Sequence, residues 1–200
     1  MTPTAIPEAA FAAIAQPTHL SHPGLPVRSL IANGQTFATG NYEPFVQAMR
    51  VAVTGVNVVT TNGLAGEFGL TVSSMCPVSA DPALLLVCIN CNSPLGDALL
   101  INRQFCISVL STQQHHIAKA CSGHTGFTDA YDFGAVEWER SPANVARLIG
   151  AIATFDCVLE DTHVAGTHRI FIGHVTTASA NTGTPLLYTD RSYGFPLKWK

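Results

Sequence analysis
The sequence predicts a mainly β protein whose antiparallel strands close into a barrel. Two observations carry this: apolar, β-branched runs bounded by turn residues recur along the chain, and the stretches of helical spacing between them are few and short. A third removes one competitor, because no G-x-G-x-x-G follows the first strand and a Rossmann fingerprint is therefore missing.

At 200 residues the chain suits one main domain with a sizeable core. Residues 1–40 hold Pro3, Pro7, Pro17, Pro23 and Pro26 without a regular amphipathic period and read as an N-terminal extension or arm, leaving 41–200 as the domain. Phe11, Ile14, Leu25 and Leu30 keep two fates open for that arm, disorder or wrapping of a neighbouring subunit.

The elements follow in order. Phe45, Met49 and Ala52 or Val53 recur at helical spacing and predict a short helix whose apolar face plugs a core. Val56 to Thr61 reads as a strand, Asn62-Gly63 as a turn and Glu67 to Val72 as the returning strand. Ala83 to Ile89 is a buried strand, a helix follows Pro94 over Leu95 to Ile101, and Gln104 to Leu110 is a further strand. Gln113 to Cys121 reads as helical, with Ile117 and Ala120 inward, and Ser122 to Asn144 as a long loop over a site. Two long strands, Ala151 to Glu160 and Arg169 to Ala178, are joined through Asp161 to Thr167, and Pro185 to Tyr188 adds a short one.

Composition narrows the function classes. The chain is 47% hydrophobic and only 12% charged, below the charged fraction of about one quarter in average soluble domains, so a partner subunit is expected to cover extensive surface, in an oligomer. A formal charge of −3, with ten Lys and Arg scattered along the chain, offers no basic stripe, and nucleic acid is not an expected partner. The run Ala83 to Ile89 is too short to span a bilayer and the N-terminus lacks the order of a secretory signal, so a cytoplasmic protein without membrane partners is expected. Of six cysteines, Cys88, Cys106 and Cys157 fall in apolar runs and read as reduced core residues. Cys88 and Cys91 form a single C-x-x-C without a second pair, so no metal site is expected.

The chemistry concentrates in two places. Thr71, Ser73 and Ser74 put short hydroxyl donors beside backbone N–H groups, which suits an anion with several acceptor oxygens or, equally, a polar strand end. Asn90, Cys91, Asn92 and Ser93 form a polar corner where the buried strand runs out and a helix begins, a place that binds anions through unpaired N–H groups or is simply capped by Ser93.

Gly55-Val56-Asn57-Val58-Val59-Thr60-Thr61, Gly69-Leu70-Thr71-Val72-Ser73-Ser74, Val78 to Asn90 and Phe171-Ile172-Gly173-His174-Val175 stand in one order. In that order the chain, over roughly residues 43–195, resembles the flavin reductase family with the FMN-binding split-barrel fold. The resemblance implies a homodimeric split β-barrel that binds FMN or FAD near the subunit interface, takes hydride from NADH or NADPH and supplies reduced flavin to a separate oxygenase. Thr71, Val72, Ser73 and Ser74 match the family's Thr-Ala-Ser-Ser, which holds the ribityl and phosphate. The stretch with Cys76 and Val78 matches the one along the isoalloxazine edge, where Pro77 lacks an N–H to donate. Asn90, Asn92 and Ser93 match the corner that closes on the flavin's polar tail, and Tyr193 matches the C-terminal turn within reach of the pocket. Where many members carry Gly-Asp-His this chain has Gly166-Thr167-His168, so the resemblance makes His168 the residue that positions nicotinamide over the flavin, without the neighbouring acid.

Hydride transfer needs two stacked rings and no acid or base side chain, which agrees with the lack of a Ser-His-Asp or paired-carboxylate arrangement. The alternatives are a bound flavin that reduces another acceptor, such as ferric iron or a cobalt corrinoid, and a non-catalytic flavin-binding redox module hinted at by Cys76, Cys88 and Cys91.

Overall fold
The structure, a computed structural model, describes residues 42–122, 136–197 and 199. The expected arm, 1–40, and the 123–135 part of the expected loop lie outside the described residues. The chain divides into two units, 1–47 and 48–200, and the sheets and cores below belong to the second.

Helix α1 (Tyr42–Val51) leads to β1 (Thr54–Gly55), β2 (Asn57–Thr61), β3 (Phe68–Val72), β4 (Cys76–Ala80) and β5 (Ala83–Asn90). Helix α2 (Pro94–Asn102) is followed by β6 (Gln104–Val109), a 3₁₀ turn (Thr112–Gln114) and α3 (His115–Ala120). The chain then forms β7 (Trp138–Arg140), β8 (Ala146–Leu148), β9 (Ala153–Ala165), β10 (His168–Ala180), β11 (Leu187–Thr189) and β12 (Ser192–Gly194).

One seven-stranded sheet, in the order β3-β2-β6-β9-β10-β5-β4, is antiparallel throughout. It curls until residues from both of its ends share one core: Val59, Val72, Leu85, Val87, Phe105, Leu159 and Phe171 pack together around Leu95 and Leu99 of α2. Helix α2 forms where expected, with Pro94 in its first turn and its last turn closed by Arg103 in the left-handed region at φ 60°. The predicted barrel is therefore present. A smaller sheet, β1-β11-β12, and a ribbon, β7-β8, flank it.

A second core lies on the opposite face of β2 and β6. There Val56, Val58, Leu110 and Leu186 meet Ile117 and Ala118 of α3 and Leu148 of β8. Beneath β8, the Thr60 hydroxyl donates to the Ala146 carbonyl at 2.5 Å, and the Leu148 N–H donates to Ser108 Oγ at 3.1 Å. Between them Arg147 grips the buried Asp156 with two donors, its Nε lying 3.0 Å from Oδ1.

Three expectations need correction. The helix at Tyr42 was expected to plug a core, but Phe45, Met49 and Val51 are 64%, 52% and 71% exposed. The end of α1 is held instead by polar contacts: Arg50 Nη2 lies 2.8 Å from Asp190 Oδ1, and the Asp190 N–H donates to the Arg50 carbonyl. Second, the connection between the long strands is only Gly166 and Thr167, because cross-strand pairing extends β9 to Ala165 and starts β10 at His168. Gly166 takes φ +59°, the conformation a tight hairpin asks of glycine. Third, Cys88 is half-buried on the outward face of β5 rather than in the core, whereas Cys106 and Cys157 are buried; all six cysteines are free.

The β9–β10 hairpin carries two bulges. Pairing slips between Ile172 and Gly173, where Glu160 is extra on β9, and slips back between Val175 and Thr177, where Thr176 is extra on β10.

Candidate functional site
The site assembles where the chain leaves β3 and crosses to β4. Thr71 ends up serving structure: its N–H donates to the Cys121 carbonyl and its hydroxyl to the Ala118 carbonyl, both at 2.9 Å, fastening β3 to α3. The Val72 side chain is 7% exposed in the core, so only its backbone faces the crossover. Ser73 is exposed. Ser74 turns to β5, where its hydroxyl donates to the Cys88 carbonyl at 2.8 Å and accepts the Cys88 N–H at 3.0 Å. On β4, Cys76 is exposed and Val78 is 46% exposed.

The polar corner begins at the end of β5. Asn90 Oδ1 accepts the Asn92 N–H at 2.9 Å, an Asx turn, while the Ser93 N–H donates to the Asn90 carbonyl at 2.9 Å. Ser93 occupies the position before α2 in an extended conformation, yet its side chain makes no capping bond. Its Oγ is buried and has no partner. A buried hydroxyl left unpaired costs stability unless something else reaches it, which makes this atom the clearest sign of a ligand at the corner.

Strand β10 brings His168 into the same place. His168 is paired with Asn90 across β5–β10, and the Cys91 N–H donates to the Thr167 carbonyl at 3.0 Å, tying the hairpin tip to the corner. Thr167 Oγ1 lies 2.9 Å from His168 Nδ1, a contact the sequence hinted at only through their adjacency. Arg169, the next residue, stacks 6.0 Å from the Phe171 ring centre and stands 3.9 Å from Asp97 in the first turn of α2. It adds the one cation of the corner among the described residues and had not been singled out from sequence.

Tyr193 is not brought to this corner by any contact. It packs against the second core and faces Tyr188, ring centres 5.4 Å apart, where burial first and Tyr188 second push its phenol pKa up. Ser74, Asn90, Asn92, Ser93 and His168 are thus tied to the end of β5, Cys76 and Val78 lie farther along β4, and Thr71 and Val72 support the crossover.

The donors present fit a phosphate-bearing cofactor with an aromatic ring. Ser73, Asn92 and the unpartnered Ser93 hydroxyl are neutral donors and Arg169 supplies positive charge, while the half-buried Leu86 and Ile172, paired farther along β5 and β10, are apolar. Among the described residues no three His, Cys, Asp or Glu side chains converge as a metal site, and no helix is long and apolar enough to cross a membrane.

The thiols provide a check on this geometry. Burial pushes Cys121 up to about 11 and Cys157 up to about 12, and raises Cys106 further with help from Asp156. Cys88 is raised by burial and, secondarily, by Cys76. Alkylation proceeds through the thiolate, so a raised pKa lowers the reactive fraction at any pH below it. At pH 8 the exposed Cys76 and Cys91 are expected to react first and Cys88 later, with Cys106, Cys121 and Cys157 labelled only after unfolding; mass spectrometry of a timed iodoacetamide reaction reads the order.

Comparison with known proteins adds a second line. Residues 49–195 match the family described as flavin reductase like domain. The FMN reductase (NADH) RutF of Acinetobacter baylyi is 31% identical over 163 residues, covering 81% of this chain and 86% of that protein. The reductase component of 4-hydroxyphenylacetate 3-monooxygenase from Escherichia coli is 30% identical over 150 residues, 74% of this chain and 88% of its own length. Among solved structures, the NADH:FAD oxidoreductase SgcE6 of Streptomyces globisporus, in complex with NAD and FAD fragments, superposes with a TM-score of 0.68 at 28% identity, covering 75% of this chain and 91% of that one.

Proposed function
We propose, from the premise that this chain belongs to the flavin reductase-like family, that it transfers hydride from NADH to FMN or FAD and supplies reduced flavin to a separate monooxygenase. The observation that carries the reading is the pairing of His168 with Asn90, which joins the strand bearing the imidazole to the corner with the unpartnered Ser93 hydroxyl.

Bound flavin would supply the redox chemistry, accepting hydride from the nicotinamide. The chain's own residues hold and orient. Ser73, Asn92 and Ser93 are the donors offered to the phosphate and ribityl, with Arg169 as the nearby cation. Cys76 and Val78 on β4 would line the ring, and His168 would position the nicotinamide against it. No described side chain needs to move a proton for the transfer itself.

The homodimer belongs to the same proposal. The outward face of β4, β5, β10 and β9 carries the exposed Val78 and Val158 and the half-buried Leu84, Leu86, Ile170 and Ile172. An apolar sheet face of this kind is a fitting surface for a second copy. Sedimentation equilibrium of the full chain is expected to give twice the chain mass; a monomer at micromolar concentration contradicts this part.

The activity test follows the loss of nicotinamide absorbance with FMN and with FAD. Wild type is expected to oxidise NADH only when flavin is added. Ser73→Ala is expected to raise the flavin Kd, and His168→Ala to raise the KM for NADH by about tenfold while changing the flavin Kd less, the pattern of a group that orients one substrate. Absence of flavin-dependent NADH and NADPH oxidation would sink the proposal.

A further inference from the structure
The two Ser74 hydrogen bonds have a meaning separate from ligand binding. Cys76 is paired with Leu86 in the β4–β5 ladder. Counting back two residues on one strand and forward two on the other sets Ser74 opposite Cys88, two residues before the first residue of β4. At that step the Ser74 side chain bonds both the N–H and the carbonyl of Cys88, at 3.0 and 2.8 Å. Its hydroxyl therefore does there what a main-chain peptide pair does one step earlier, while the chain departs toward β3.

This occupies the hydroxyl: its proton goes to the Cys88 carbonyl and one lone pair to the Cys88 N–H. Ser73 next to it is exposed and makes no such bond to β5. Two residues beyond Cys88, Asn90 starts the corner whose turn is closed by Asn92 and Ser93. On its other side β5 is paired with β10, where Ile170 stands opposite Cys88 and His168 opposite Asn90. The end of β5 is thus fixed on one side by a full strand and on the other by one serine hydroxyl.

We propose that Ser74 is a positioning residue: its hydroxyl is a side-chain ladder rung that locks the crossover onto Cys88 and thereby holds the Asn90–Ser93 corner in its binding shape, while Ser73 next to it is the serine that faces the ligand. The consequence for affinity rests on the flavin reading above. The rung itself does not, since both of its bonds lie within the chain.

The experiment measures amide hydrogen exchange across 86–93 in the flavin-free full chain, together with FMN Kd by fluorescence quenching, for wild type, Ser73→Ala, Ser74→Ala and Ser74→Thr. Loss of a hydrogen bond worth a typical amount corresponds to about 2- to 10-fold in an opening equilibrium. In Ser74→Ala, exchange at Cys88 is expected to accelerate by about that factor, Cys88 alkylation to speed up with it, and FMN to bind more weakly. Ser74→Thr, which keeps the hydroxyl, is expected to restore slow exchange, and Ser73→Ala to weaken FMN binding at unchanged exchange. If Ser74→Ala weakens FMN binding while exchange and Cys88 labelling stay at wild-type rates, Ser74 is a direct ligand and the proposal is overturned. If exchange accelerates but FMN affinity holds, the corner does not depend on the rung and the positioning role fails. A wild-type chain that binds neither FMN nor FAD overturns the flavin reading instead, a result separable from the exchange rates.

Discussion

Replacing Asp156 by alanine is expected to destabilise the protein by about 3–5 kcal/mol, the usual cost of stripping one partner from a buried ion pair. The Asp156 and Arg147 side chains are 10% and 17% exposed and meet through two donors, so the guanidinium left behind would lack its main counter-charge. Glu139, 3.8 Å away and largely exposed, is a poor substitute. For a chain of this size the loss corresponds to a fall in Tm of roughly 6–20 °C, readable by calorimetry. The double substitution Arg147→Met with Asp156→Leu removes both charges and is expected to recover much of the loss, as apolar replacement of buried pairs often does. A single substitution within about 0.5 kcal/mol of wild type, the range of ordinary surface changes, would show that the pair is not an anchor.

Gly173→Ala is expected to be the next most damaging change. Gly173 lies in the core side of β10 at the first bulge, and a methyl group there would stand 2.4 Å from Phe105 Cζ and 2.8 Å from Cys157 Cβ. Phe105 is 1% exposed and cannot swing into solvent. Overpacking of this kind costs about 1–3 kcal/mol, occasionally more, and valine is expected to cost more than alanine. Phe105→Leu should relieve the clash, so Gly173→Ala is expected to be less damaging in that background than alone; urea midpoints of the four proteins form the cycle. Equal penalties in both backgrounds would mean that the ring does not set the size of the site.

These two sites also show how far sequence reading reaches. Strand β5 was legible because Ala83 to Ile89 is a continuous apolar run, and α2 because Pro94 follows a polar corner and opens an apolar stretch. Strand β4 was not, since Cys76 to Ala80 contains Pro77, has four of its five residues exposed, and is defined by pairing with β5 alone. The outer part of β9, Asp161 to Ala165, reads as connection because it opens on the polar Asp161-Thr162-His163 and ends at a glycine. Its strand character comes from pairing with His168 to Ile172 of β10, which no local pattern reports. The ribbon β7-β8 escaped for a similar reason, being short and held by Thr60, Ser108 and Asp156 from distant strands.

For the site, the ordered motifs pointed to the Thr71–Ser74 and Asn90–Ser93 segments, but not to the different tasks of neighbouring residues. Thr71, Ser73 and Ser74 are chemically alike in sequence. Only the fold separates a hydroxyl spent on α3, one left exposed, and one spent on β5. The Gly166-Thr167-His168 tip likewise looked poorer for lacking an acid, whereas Thr167 supplies an oxygen to the imidazole in its place.

The paired bulges of β9 and β10 bear on how the chain tolerates changes in length. Glu160 and Thr176 are each unmatched on the opposing strand, so removing one shortens its strand without moving the partners of the residues on either side. The hairpin can absorb a deletion there as an altered twist, whereas a deletion at Ile170 or Ile172 would bring His168 onto the same face as the core residue Gly173. Single-residue gaps between this chain and its relatives are therefore expected to collect at 160 and 176, and a deletion series along the hairpin would find its permissive positions there.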